Sequence, residues 1–143
     1  MIHAPTASMQ GLHLVADLQG CACAPGLLSD VAALTQQLRS AVLAAGLTVV
    51  GEAFHRFPDN GAQPGGVTGT VLLAESHVAL HTWPEFGVVT LDVYVCNYSA
   101  DNTGRAEQLM ATLVTLFQPV ALSSQRLLRC AQGAENRSSE LGT

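Results

Sequence analysis

The chain has 143 residues, of which 48% are apolar and 12% charged, and its formal net charge is −5. That length supports one domain with a substantial core and is short for two. The acidic balance and the lack of any basic cluster argue against a nucleic-acid partner. No apolar run approaches the roughly 20 residues that span a bilayer, and the N-terminus MIHAPTASMQ lacks the basic and apolar regions of a secretion signal, which points to the cytoplasm.

Residues 1–10 read as an N-terminal extension. LHLVADL (12–18) then alternates Leu12, Leu14, Ala16 and Leu18 against His13, Val15 and Asp17, the pattern of a first strand. From Leu27 to Gly46, Leu27, Val31, Leu34, Leu38 and Val42 recur close to helical spacing, and Gly46 is a natural stop. TVVGEAFHRF (48–57) predicts a second strand, and PDNGAQPGG (58–66) is a loop dense in turn formers. The run from Val67 to Trp83 is too long for one ordinary strand, so two stretches with a bend near Glu75-Ser76 are expected.

VVTLDVYVC (88–96) alternates cleanly, with Val89, Leu91, Val93 and Val95 on one face and Thr90, Asp92, Tyr94 and Cys96 on the other. RAEQLMATLVTLFQ carries Ala106, Leu109, Met110, Leu113 and Phe117 at helical spacing, stopped by Pro119. A last strand covers 120–128, and the polar, aperiodic segment 131–143 reads as a mobile tail. The order strand, helix, three strands, helix, strand predicts one α+β domain over 11–130. Its architecture is a two-layer sandwich, a mostly antiparallel sheet with two helices packed on one face. The other face is left bare, and a dimer would cover it.

Several constellations can carry chemistry. All six basic residues are arginines and lysine is absent, so the side chain that forms imines with carbonyl substrates or anchors pyridoxal phosphate is missing. If the chain handles amines through an imine, the carbonyl must belong to the protein. His77 and His81 are spaced for a metal on a helix, but on a strand the same pair is about 13 Å apart, too far to share an ion. Two hydrogen-bonded strand histidines is the plainer reading, and no metal site is expected.

The four cysteines, Cys21, Cys23, Cys96 and Cys130, suggest no disulfide framework. Cys21 and Cys23 are too close for the usual gap between zinc thiolates, and no second pair completes a site.

Ser76 lacks the glycine-flanked elbow of a hydrolase nucleophile, since its neighbours are Glu75 and His77. A different use of serine is open: its hydroxyl can attack the preceding carbonyl and convert the Glu75-Ser76 amide to an ester. Elimination and hydrolysis then cut the chain and leave a pyruvoyl group, which is the protein-borne carbonyl that the missing lysine calls for. The reaction needs a strained peptide bond, a donor for the tetrahedral intermediate and a base. The interruption at 75–76 is a place for strain, Thr68 offers a hydroxyl, and His81 offers an imidazole.

FHRF (54–57), GVTG (66–69), AESHVALHTWPEFG (74–87) and LDVYVC (91–96), in this order, resemble the short bacterial and archaeal form of S-adenosylmethionine decarboxylase, over about residues 11 to 128. The resemblance implies a proenzyme that cleaves itself between Glu75 and Ser76 into a β chain of 1–75 and an α chain of 76–143 that begins with pyruvoyl. It implies that the group from Ser76 forms the Schiff base with substrate, that His81 is the proton acceptor in processing and that Thr68 supplies the processing hydroxyl. Cys96 is the implied proton donor in catalysis. Glu85 is expected on the ribose hydroxyls, with Phe57 and Trp83 around the adenine and sulfonium. The implied cofactor is the pyruvoyl group, with no pyridoxal phosphate and no metal.

The implied reaction gives S-adenosylmethioninamine, the aminopropyl donor for spermidine synthesis. It is expected in a homo-oligomer, at least a dimer of processed α/β protomers with the site at the dimer interface. Ornithine or arginine as substrate, or an unprocessed regulatory paralogue, are the alternatives.

Four positions depart from the family pattern: Thr68 for the usual serine, Phe86 where tyrosine is common, Asn97 where glycine is common, and a 58–66 loop a few residues longer than usual. One geometric difficulty stands. Five residues separate Ser76 from His81, about 16 Å in a straight strand and on opposite faces, so either the chain bends sharply between them or the histidine arrives from elsewhere in a dimer.

Overall fold

A computed structural model describes residues 8–132. The elements run β1 (Ser8–Gln19), a 3-10 turn (Pro25–Ser29), α1 (Val31–Ala44), β2 (Val49–Arg56), β3 (Val67–Leu73), β4 (Ser76–Trp83), β5 (Val88–Cys96), α2 (Thr103–Phe117) and β6 (Ala121–Gln132). The strands form one six-stranded sheet in the order β2-β3-β4-β5-β1-β6, and every neighbouring pair is antiparallel. The fold is thus an α+β two-layer sandwich. β1 and β6 pair from Ser8↔Gln132 to Gln19↔Ala121, so the ladder takes in residues at both ends that read as extension and tail. The rest of the tail, from residue 133, lies outside the described residues.

Each helix begins and ends for local reasons. Asp30 caps α1 by accepting from Ala33 N–H at 3.0 Å. At its far end Gly46, at φ 81°, allows Gly46 N–H to reach Leu43 O and Leu47 N–H to reach Val42 O, at 3.0 and 3.1 Å, which satisfies two terminal carbonyls. Helix α2 ends at Gln118 in the left-handed region, φ 50°, and Pro119 prevents continuation.

The helices cover one face of the sheet. Leu34, Leu38 and Val42 of α1 and Leu109, Leu113 and Phe117 of α2 are fully buried, as are Leu18, Val71, Val78, Leu80, Val93 and Val95 of the strands. β5 alternates buried and half-buried along its whole length. The opposite face carries His13, Thr68, His77, His81, Asp92, Tyr94 and Cys96, all in part exposed to solvent. Edge strand β6 is exposed throughout Ala121–Cys130; Leu128, 82% exposed, has no helix above it.

Candidate active site

The Glu75–Ser76 peptide lies at a hairpin. Leu73 pairs with Ser76 across β3 and β4, so Ala74 and Glu75 form a two-residue turn. Such turns favour glycine or asparagine, which tolerate positive φ. Here the strain falls on the residue after the turn, because Ser76 has φ 153°, a region where a side chain costs about 1–3 kcal/mol. Ser76 also pairs with Val95, which brings Glu75 opposite Cys96, and Cys96 N–H donates to Glu75 O at 2.7 Å. That donor points at the oxygen on which charge would develop if Ser76 Oγ attacked the Glu75 carbonyl carbon. A strained serine and an aimed donor fit a serine-derived pyruvoyl group.

Cys96 stands on the open face of β5, and the turn beyond it is fixed by asparagines. Asn102 is 3% exposed; its Nδ2 donates to Cys96 O at 2.9 Å, and its N–H donates to Asn97 Oδ1 at 2.8 Å. Asn97 thus has a structural task in this chain. Sequence reading missed Asn102, because an asparagine among turn formers carries no separate signal.

Thr68 and His81 stand together at the other end of the same strands. They pair directly across β3 and β4, and Thr68 Oγ1 lies 2.7 Å from His81 Nδ1. A cavity of about 580 Å³ opens beside them, lined by Phe57, Thr68, His81, Trp83 and Glu85 together with Asn60 and Gln63 of the 58–66 loop. That volume falls in the range of small-molecule sites. The loop is firmly tied: Asp59 accepts from Gly65 N–H at 2.9 Å and pairs with Arg56 Nη2 at 2.8 Å. Both contacts, the Gly65 N–H first, hold the Asp59 carboxyl below the usual carboxylate range.

Thr82 links this end to the helical layer. Thr82 is 5% exposed, and its hydroxyl donates to Leu28 O at 2.6 Å and accepts from Val67 N–H at 2.8 Å. Position 82 of the His-Thr-Trp motif is therefore an anchor that seats His81 and Trp83 on the open side.

The predicted site residues thus fall into two groups. Ser76, Glu75 and Cys96 form one, and Thr68, His81, Phe57, Trp83 and Glu85 the other. β4 runs unbroken from Ser76 to Trp83, so five residues of extended chain, about 16 Å, separate Ser76 from His81. The bend between them that would join the groups within one chain is absent.

His77 and His81, four apart on that strand, face different neighbours. Donor atoms of His13, His77 and Asp92 lie within 4.8 Å of one another, the arrangement of a metal triad. The hydrogen bonds favour another use. Arg129 Nη1 lies 3.1 Å from His13 Nδ1, and a guanidinium can only donate. His13 Nδ1 is then an acceptor, and Nε2 carries the hydrogen that bonds Asp92 Oδ1. A metal on Nε2 would need Nδ1 to turn donor against the guanidinium, so the cluster reads as a neutral clamp across β6, β1 and β5. Arg129 also lies over the Tyr94 ring, 5.2 Å from its centroid.

Residues 12–130 match the family model described as S-adenosylmethionine decarboxylase. The S-adenosylmethionine decarboxylase proenzyme of Aquifex aeolicus is 37% identical over 115 residues, 80% of this chain and 77% of that protein. The proenzyme of Picrophilus torridus is 31% identical over 126 residues, 88% of each chain. The crystal structure of the adenosylmethionine decarboxylase from Aquifex aeolicus superposes with a TM-score of 0.70 at 36% identity, covering 87% of this chain and 91% of the other. With the fold, the hairpin serine and the sequence match in agreement over nearly the whole chain, this protein belongs to the S-adenosylmethionine decarboxylase family.

Proposed function

We propose that the chain cuts itself at Glu75–Ser76 and then decarboxylates S-adenosyl-L-methionine to S-adenosylmethioninamine, an aminopropyl donor for spermidine synthesis, in the cytoplasm. The observation that carries the cleavage is the placement of Ser76: φ 153° beside a carbonyl held by Cys96 N–H at 2.7 Å. Among the described residues no helix is long and apolar enough to cross a membrane.

The two residue groups are complementary across a twofold axis. An axis lying parallel to the open face, at right angles to the strands and above Ala79 and Asp92, which pair in the middle of β4 and β5, exchanges the strand ends. A second copy, stacked sheet to sheet at about 10 Å, then lays its Thr68 and His81 over the strand ends of the first copy where β4 begins at Ser76 and β5 ends at Cys96. The dimer covers the bare face and completes two equivalent sites.

Within such a site each side chain has a task. For His81 to take the Ser76 Cα proton through Nε2, Nδ1 must carry a hydrogen, and Thr68 Oγ1 is placed to accept it, which fixes the tautomer. Phe57 and Trp83 offer aromatic faces to a sulfonium, an attraction of about 0.5–2 kcal/mol that introduces no competing amine. Glu85 accepts from the ribose hydroxyls. A pyruvoyl carbonyl at position 76 supplies electron withdrawal from the bond to the departing carboxylate. Cys96 Sγ gives its proton to the substrate carbon that has lost CO₂. Phe57, Trp83 and Glu85 lining one cavity favour a nucleoside over ornithine or arginine.

Intact mass and CO₂ release test this. Two fragments joining at 75/76, the second blocked at its N-terminus, with CO₂ from S-adenosylmethionine, are expected. Release from ornithine or arginine alone would overturn the substrate, and a chain that stays whole would favour a regulatory paralogue.

A further inference from the structure

The scissile hairpin is tied to a chain segment that no site motif includes. Glu75 Oε1 accepts from Thr48 N–H at 2.9 Å, and Ala74 N–H donates to Thr48 O at 2.9 Å. Both turn residues thus bind one residue of the link between α1 and β2. Thr48 is itself well fixed. It follows Leu47, 3% exposed, whose N–H closes the α1 terminus, and it precedes Val49, which pairs with Leu73. Glu75 is therefore held at two atoms by two separate elements, its side-chain Oε1 by Thr48 and its main-chain O by Cys96.

The turn needs such support. Ala74 and Glu75 lack the positive-φ tolerance of the residues that stabilise two-residue hairpins, and Ser76 is strained. Left to itself, the turn would relax by rotating the Glu75–Ser76 peptide, which moves Glu75 O off Cys96 N–H.

We propose that the Glu75 carboxylate is a positioning group for self-cleavage: anchored on Thr48 N–H, it holds the scissile carbonyl on Cys96 N–H with Ser76 in its strained form. The inference rests on the self-cleavage reading above. In the step it serves, the Ser76 Oγ–C bond to Glu75 forms, the C–N bond breaks, and the hydroxyl proton ends on the freed nitrogen of Ser76. The anchor needs an acceptor at Oε1 and no charge. Glutamine therefore suffices, aspartate is one methylene short, and alanine has no acceptor.

The test follows the cleavage of freshly made protein by intact mass. Glu75→Ala is expected to cut about tenfold more slowly, the factor set by one hydrogen bond of ordinary net strength. Glu75→Gln is expected near the wild-type rate. Thr48→Ala, which leaves the main-chain donor and acceptor in place, should also cut normally. Cutting of Glu75→Ala at the wild-type rate, or equal slowing in Glu75→Gln, overturns the proposal.

A second arm uses uncut protein carrying Ser76→Ala and reads amide hydrogen exchange at Cys96. Adding Glu75→Ala should lower protection there at least about tenfold, while adding Glu75→Gln should not; unchanged protection in both overturns the anchor. If wild-type protein never cuts, the self-cleavage reading fails, and this arm alone decides whether Glu75 holds the carbonyl.

Discussion

Replacing Thr82 with valine keeps the side chain's shape and removes one hydroxyl, so it separates hydrogen bonding from packing. The hydroxyl serves two main-chain groups, Leu28 O and Val67 N–H, at 2.6 and 2.8 Å, in a residue 5% exposed. Each buried group left without a partner costs about 1–3 kcal/mol, and the added methyl returns less than about 1 kcal/mol. Thr82→Val should therefore lose about 2–4 kcal/mol. Thr82→Ser keeps both bonds and gives up one methyl, a loss of about 1 kcal/mol. The order Thr > Ser > Val runs against hydrophobicity, which makes it diagnostic. Urea unfolding at fixed protein concentration, with the cleavage state checked by mass, reads the difference. On heating, Thr82→Val should melt about 6–15 °C lower. Thr82→Val as stable as Thr82→Ser would refute the argument that this hydroxyl joins the 3-10 turn to β3.

Other consequences are checkable in the same way. A Cβ at Gly69 would sit 2.2 Å from Phe54 Cδ1, so Gly69→Ala should cost about 1–3 kcal/mol, and a double-mutant cycle with Phe54→Leu should recover part of it. Asp59 has a depressed carboxyl pKa, held first by Gly65 N–H and then by Arg56. Its contribution is therefore complete above the ordinary aspartate range and is lost as pH falls through the lowered value. Gly65 amide protection should be flat from neutral pH to about 4 and decline only below it, and Asp59→Ala should abolish it throughout. Burial pushes the Cys21 and Cys23 thiols up, and Cys23 adds to the effect on Cys21. At pH 8 iodoacetamide should label exposed Cys130 well before either.

What the sequence revealed depended on whether the determining forces are local. Strict alternation from Val88 to Cys96 gave β5 its observed bounds, and Gly46 and Pro119 ended the helices where expected. Asp30 was less visible. It divides the predicted helix from Leu27 into a 3-10 turn and α1 by accepting from Ala33 N–H, and a lone aspartate within an amphipathic run does not announce a cap. The 58–66 loop was legible as irregular, but its role as a pocket wall depends on Asp59 reaching Gly65 and Arg56. The Glu75–Thr48 contact joins residues 27 apart in the chain, and the Cys96 donor to Glu75 needs the register of β4 on β5. Neither has any periodic signature.

The division of the site between strand ends follows from the sheet itself. To bring Ser76 to His81 within one chain, β4 would have to double back between Ala79 and Leu80. Those residues are inner rungs, paired with Thr70 and Gly69 on one side and with Asp92 and Leu91 on the other. A reversal there would strip main-chain groups of their partners on two neighbouring strands, and each buried orphan costs about 1–3 kcal/mol. It would also lift Leu80, fully buried, off the helices, at about 2–3 kcal/mol for the lost burial. A few such terms approach the whole stability of a small domain, about 5–15 kcal/mol. In the proposed dimer, two copies of a straight strand meet the same chemical need without breaking a ladder, because β4 carries one half of the proposed machinery at each end.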